Sequence, residues 1–453
     1  MNQVSRGMSK YKRYPAYKDS GVEWIGEVPD GWEVKPICRV ASCNDDALSE
    51  NTPADAVLRY VDISAVNHAD GITQVTEVRF ADAPSRARRQ AKSGDVVVST
   101  VRTYLKAVAA VTEDYAGCIY STGFAVLRAR SAQVDPAFLK WMALNNLLIQ
   151  AIEAHSEGLS YPAINATELV KLKAVVPPPA EQSTIAAFLD RETTRIDALI
   201  AKKTRFIELL KEKRSARITQ AVTKGLDPNV KMKDSGVEWI GEVPEHWDVK
   251  RMRHVASFTN SNVDKKAYDD QESVRLCNYT DVYYNEFITA DLPFMQATAS
   301  QAEIERFSLK KWDVLITKDS EDPTDIGIPS LVLEDLPGVV CGYHLTVIRA
   351  GDLHTARLLH RILMSHPTAA HFFIEAPGIT RYGLGQDAIG NIPVCLPPPE
   401  HRTAVADCID RETARIDALI AKVQRSIDLL KERRSAFITA AVTGQIDLRG
   451  EIT

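Results

Sequence analysis

The sequence predicts an α+β protein built twice over: two pseudo-symmetric globular domains joined by two long helices packed as an antiparallel coiled coil. Three observations predict it. The segment KDSGVEWIGEVP at Lys18–Pro29 recurs unchanged at Lys233–Pro244, an offset of 215. Further on, VPPPAEQ at Val176–Gln182 is answered by LPPPEHR at Leu396–Arg402, 220 residues later. RETTRIDALIAK (Arg191–Lys202) and RETARIDALIAK (Arg411–Lys422) then differ only at Thr194 and Ala414, and ITQAVTKGLD (Ile218–Asp227) matches ITAAVTGQID (Ile438–Asp447). The stretches between these ends are nearly equal in length but barely match in sequence. Solenoid repeats have periods of roughly 20–50 residues, so this spacing marks a tandem duplication of a domain plus a helix.

The divergent middles supply the β component. Asp95–Val101, Phe124–Ala129 and Leu345–Ala350 are β-branched runs of strand length. Phe138–Ala154 and Ala356–His366 have helical spacing, the first bracketed by Pro136 and Gly158. The proline triplets Pro177–Pro179 and Pro397–Pro399 punctuate, because proline restricts its predecessor and cannot continue a helix. After each comes a run without Pro or Gly of about 40 residues, roughly 60 Å of helix at a 1.5 Å rise. In the second copy Ile409, Ile416, Val423, Leu430 and Phe437 recur every seven residues, flanked by Leu419, Ile420 and Ile427. The first copy gives Leu189, Ile196 and Leu210, flanked by Leu199 and Ile200, with Lys203 interrupting. A seven-residue apolar seam with charged flanks argues for helices packed on each other. The alternative, each helix packed on its own domain, fits their charged outer faces less well. The expected segments are a tail at 1–17, a domain at 18–175, a helix and linker at 176–232, a domain at 233–395 and a closing helix at 396–453.

Composition excludes whole classes. In 453 residues, 60 acids against 55 bases leave a net charge of −5, so any binding of nucleic acid must use local patches. No apolar run reaches the roughly 18 residues of a membrane span. Met1–Ser20 is basic and polar, with no stretch to act as a signal peptide, and translation starts at Met1 or Met8. Seven cysteines without a CxxC pair read as reduced thiols in a cytoplasmic protein.

Catalytic motifs are missing. The sequence has no GxxxxGK[ST] phosphate loop, no HExxH zinc pair and no Asp/Asn-Pro-Pro-aromatic tetrapeptide of the kind that holds a target amine. PDGWEVK (Pro29–Lys35) and PEHWDVK (Pro244–Lys250) imitate a nuclease metal cluster, but the gap between acids is too short and the tryptophan suggests a packed turn. YGLG at Tyr382–Gly385 reads as a turn, and His354, His360 and His366 as satisfied surface or core residues. No catalytic residue, metal site or bound cofactor is expected on this chain.

What remains is local basicity among hydroxyls and aromatics. Arg79, Arg86, Arg88, Arg89 and Lys92 place five positive charges within fourteen residues, against Asp82. Ser99, Thr100, Arg102, Thr103, Tyr104 and Lys106 follow at the end of a strand. The second copy offers Lys265, Lys266, Lys310, Lys311, Lys318 and Ser320, then Arg381 and Tyr382. Arg and Lys neutralise phosphates or pair with guanine edges, and small polar side chains read other edges.

Paired SGVEWIGEVPxxW segments, PPPxEQ ahead of RETxRIDALIxK, and AVTKGLDP before the second copy together resemble a type I restriction-modification specificity subunit. The likeness covers both copies, departing only at Glu400–Arg402 (EHR for EQ) and in the closing AVTGQIDL. It implies two target recognition domains, each reading one half of a split sequence in double-stranded DNA. It implies helices that set the gap between half-sites and dock two methyltransferase subunits. Those partners would carry S-adenosylmethionine and flip the adenine. A motor-nuclease subunit would join for cleavage, and this chain would do no chemistry of its own.

Overall fold

A computed structural model describes residues 11–451; residues 1–10 of the expected tail, and with them the choice between Met1 and Met8, lie outside the described residues. The chain forms two compact units. One takes the described residues up to Thr204 together with those from Arg425 onward, and the other takes Arg205–Gln424. This division differs from the segments expected from sequence. The long helices, Pro179–Lys224 and Pro399–Val442, are not separate pieces, because each contributes one half to each unit.

The first unit opens with a ribbon pairing Tyr17–Asp19 with Glu27–Pro29. Its central sheet has the order Val108–Ala110, Val96–Ser99, Phe124–Ala129, Ala41–Cys43, and a second sheet the order Thr76–Arg79, Val57–Val61, Ile119–Ser121, Ala87–Gln90. The helix expected at 138–154 is two helices, Pro136–Ala143 and Asn146–Ala154. The break lies at Asn145, whose carboxamide oxygen accepts the Leu147 N–H at 3.1 Å and so caps the second helix.

The second unit repeats the plan. Met232–Asp234 pairs with Glu242–Pro244. The central sheet runs Ala256–Asn260, Leu345–Ala350, Val314–Thr317, Pro329–Val332, Phe287–Ile288, and a three-stranded sheet runs Met295–Ala299, Glu272–Cys277, Val339–Cys341. Leu353–Leu363 and His366–Glu375 are its helix pair, with Pro367 starting the second. A part-buried ion pair in each unit marks the correspondence of the two central sheets. Arg128 grips Asp95 with Nε at 2.9 Å and Nη2 at 2.7 Å, and Arg349 grips Asp313 with both nitrogens at 3.0 Å.

Within each unit the two helix halves pack antiparallel. In the first unit the Phe188 and Phe437 rings meet at 6.2 Å, and Arg434 pairs with Asp197 at 3.0 Å. The second unit carries the equivalent pair, Arg214 with Asp417 at 2.9 Å. The helix halves also enter each unit's own core: Ile185, Phe188, Leu189 and Phe437 in the first, Ile218, Val222, Val405 and Ile409 in the second. Both packings considered from sequence therefore occur together.

The seam itself needs one correction. Leu189, Ile196, Leu210, Ile409, Ile416 and Val423 are buried, and Ile200, Ile420 and Leu430 partly so, but Leu199 and Leu419 are 42% and 39% exposed. The second buried row lies four residues after the first rather than three: Thr193 and Ile207 in one helix, Thr413 and Ile427 in the other. The +3 positions, Leu199 and Phe206 among them, consequently face out.

Each helix ends on a glycine in left-handed backbone that is also closely packed. Gly444 has φ +73°, and a Cβ there would stand 2.4 Å from Pro29. Gly225, at φ +75°, lies against Pro244 and Trp247. The repeated GEVPxxW segment is thus the seat on which a left-handed helix cap sits, in both units.

Candidate nucleic-acid interface

In the first unit the site begins at the C-terminal end of strand Val96–Ser99. Arg102 and Lys106 both adopt left-handed backbone, φ +50° and +52°, and between them Thr103–Leu105 makes a single 3-10 turn. The turn is held from below: Thr103 is buried and its hydroxyl donates to Ser156 at 2.8 Å. It therefore lifts Tyr104 and Leu105 into solvent, 51% and 42% exposed. The Arg102 guanidinium stacks over Tyr161 at 5.0 Å, and Lys106 reaches Glu153 at 3.5 Å.

Arg86 belongs to the same end. Its carbonyl accepts the Thr122 N–H, while the neighbouring Gly123 carbonyl accepts the Thr100 N–H. Its guanidinium pairs with Asp62 at 2.9 Å and remains 56% exposed. Ser99 and Thr100 are corrections to the sequence reading. Both are buried, and their hydroxyls donate to the carbonyls of Val101 at 2.5 Å and Gly123 at 2.9 Å, so neither reaches a ligand. Arg88 lies over Phe80 at 5.2 Å, and Arg89 buries a Nε with no partner among the described residues. Lys92 sits at the opposite end of the Val96–Ser99 strand, paired with Asp46 at 3.1 Å. Arg128 and Lys92 together hold the Asp46 carboxyl below the usual carboxylate range.

The second unit uses the matching strand end with different chemistry. Lys318 follows strand Val314–Thr317, and Asp319–Ser320 pairs with Tyr382–Gly383, which brings four of the expected residues together. The Asp319 carboxylate receives Lys318 Nζ at 2.9 Å and His344 Nδ1 at 2.8 Å. Burial alone would raise the Asp319 carboxyl, but His344 and Lys318 outweigh it and hold the group low. Arg381 lies 3.2 Å from the same imidazole nitrogen, and Lys318 also caps the Tyr343 ring at 4.6 Å.

Two clefts flank this cluster. One of about 520 Å³ is lined by Tyr279, Tyr283, Tyr284, Ser320, His344 and Arg381 together with four acids, Asp319, Glu321, Asp322 and Asp325. The other, about 380 Å³, is lined by Lys265, Lys266, Tyr279, Tyr343 and His344. Lys310 and Lys311 are exposed but occupy the far end of the strand, as Lys92 does in the first unit, and do not join the cluster. The sequence reading missed His344, Tyr279, Tyr283, Tyr284 and Tyr343. Their signal was only an aromatic-rich stretch, which topology alone carries to the site.

Anchoring of each domain on its helix is equivalent. Asp190 accepts Lys140 at 2.6 Å, and Asp410, 220 residues on, accepts Arg361 at 2.7 and 3.0 Å as well as Arg357. Burial would raise the Asp410 carboxyl, but the two guanidiniums hold it below its ordinary range. Glu286 bridges Arg361 to Arg214. Beside this network His360 is buried, its pKa pushed down to about 3 by burial and by Arg361. Its Nε2 has no hydrogen-bond partner among the described residues, while the ring also bonds the Pro329 backbone, and the residue is buried in the core. Among the described residues no group of His, Cys, Asp and Glu is arranged to hold a metal ion, and no helix is long and apolar enough to cross a membrane.

No family model matches the sequence. Curated relatives do, and they bear out the resemblance: they are specificity subunits of type I restriction enzymes. The chain is 20% identical over 438 residues to the EcoKI specificity subunit of Escherichia coli K12, covering 93% of this chain and 90% of that one. It is 24% identical over 241 residues to the putative MjaX specificity subunit of Methanocaldococcus jannaschii, spanning 52% of this chain and 55% of that relative. In structure, it superposes at TM-score 0.69 and 20% identity on a chain from a study of complex assembly and conformational transition in a type I restriction-modification system, covering 94% and 99% of the two chains. The likeness in structure shows a shared fold.

Proposed function

We propose that this chain is the sequence-reading subunit of a type I restriction-modification complex. Each unit reads one half of a split target in double-stranded DNA, and the helices fix the gap between the halves. The observation that carries the reading is the contrast within one architecture. Equivalent strand ends present Arg86, Arg102, Tyr104 and Lys106 in one unit and Lys318, Arg381, Tyr382 and the tyrosine-lined clefts in the other. Two unlike polar surfaces on one scaffold suit an asymmetric sequence, since base edges are told apart by the donors and acceptors that meet them.

The helices carry the opposite signature. Leu199 and Leu419 are the same residue at equivalent positions, both exposed, within RETxRIDALIAK segments differing at one residue. Two copies of one partner need two equivalent docking surfaces, and methyltransferase subunits are the partners proposed here. In this reading S-adenosylmethionine and the catalytic groups belong to those partners, motor-nuclease subunits join through the complex, and the chain works in the cytoplasm.

The test is selection. The full-length chain with its methyltransferase partner, incubated with a pool of randomised duplexes, is expected to enrich a motif of two specified blocks separated by a fixed unspecified gap. Enrichment of a single continuous block, or of none, rejects the reading.

A further inference from the structure

One loop is built alike in the two otherwise divergent units. In the first, the Ala163 N–H donates to Glu157 O at 2.9 Å and the Ile164 N–H to Thr100 O at 2.8 Å. In the second, the Gly383 N–H donates to Pro377 O at 3.4 Å and the Leu384 N–H to Lys318 O at 2.7 Å. Both donors and the Glu157/Pro377 acceptor are displaced by 220 residues, the strand-end acceptor Thr100/Lys318 by 218, and each loop is tied to the strand end that carries the candidate interface. The loops read GLSYPA from Gly158 and GITRYG from Gly378.

The glycines force the geometry. Gly158 has φ +112° with Tyr161 O only 3.2 Å from the place of a Cβ, and at Gly378 a Cβ would meet Arg381 O at 2.1 Å. So tight a turn drives the next side chain outward. That residue is Leu159 in one loop, 106% exposed, and Ile379 in the other, 92% exposed. Both are apolar, neither has anything from its own unit over it, and both adjoin cations: Arg102 stacked on Tyr161 in the first loop, and Arg381 within the second.

We propose that Leu159 and Ile379 are DNA wedges, each inserting its branched side chain at a base step of the half-site its unit reads while the adjoining arginine takes a phosphate. Apolar side chains partly unstack a step and bend the duplex, which exposes more of its surface to the protein. The exposed arginine beside each tip, Arg102 in the first unit and Arg381 in the second, supplies a phosphate contact that an apolar protein surface would not use. This rests on the DNA-reading function proposed above, and the experiment separates the two.

The full-length chain with its partner subunit is mixed with the duplex it selects from the random pool, carrying 2-aminopurine at successive positions. The wild type is expected to raise fluorescence at one step in each half. Leu159→Ala should abolish the rise in one half only, and Ile379→Ala in the other, each weakening binding roughly tenfold. Leu159→Met should restore both signals, whereas Leu159→Gln should not. If both alanine variants bind with wild-type affinity and unchanged fluorescence, the wedge is wrong and DNA reading stands. If they instead lose the partner subunit and keep DNA binding, the loops are protein-docking tips and the wedge is equally wrong. If the wild type selects no duplex, both readings fall.

Discussion

Gly444 shows how much one backbone position decides. Its left-handed conformation costs a non-glycine residue about 1–3 kcal/mol, and a Cβ there would also overlap Pro29 of the repeated segment. Gly444→Ala is therefore expected to destabilise the first unit by at least that much, read as a lower melting transition. Gly225→Ala, where the nearest side-chain atom is 3.3 Å away, should cost less. At this scale the sequence was least legible. Ser99 and Thr100 were chosen by residue type, and their hydroxyls turn inward onto the carbonyls of Val101 and Gly123. Leu159 and Ile379 escaped notice because exposure of an apolar residue is a property of its turn. The signal was present all the same: a glycine, a branched apolar residue and a hydroxyl residue recurring at the helix offset of 220.

At the scale of elements the helices were legible almost throughout. Proline triplets and the long run without Pro or Gly predicted helices that prove to be 46 and 44 residues long. Which apolar row faces in was not decidable from spacing alone, since rows three and four residues from the seam are both apolar. The Thr193 and Thr413 hydroxyls, bonded back to Leu189 and Ile409 carbonyls, mark the buried row in the structure. Substitution should separate the two rows. Ile196→Glu and Ile416→Glu each bury an unpaired carboxylate and are expected to cost roughly 3–5 kcal/mol, seen in chemical denaturation. Leu199→Glu and Leu419→Glu, on the outer row, should stay within about 0.5 kcal/mol of wild type. Equal losses in both rows would mean that the buried row is misassigned.

For the molecule as a whole, the duplication was the most legible feature, because identical ends and divergent middles are visible without any structure. What the sequence concealed is that each unit borrows half of both helices, so that residues as distant as Tyr17 and Gly444 meet in a 2.9 Å hydrogen bond. Nor did it show that Arg86, His344 and Arg381, distant in sequence, return to the strand ends that carry Arg102 and Lys318. Chain order places the residues that flank a strand, but not which end a residue from another segment returns to.

The central claim is that two unlike units specify two separate halves of one DNA target. Mapping methylated adenines across the genome of cells carrying this chain and its partner tests it most directly, with a second map after residues 30–175 are exchanged for a relative's. The expected result is a split motif of which one half changes while the other half persists. A motif that changes throughout, or that survives the exchange intact, would contradict it.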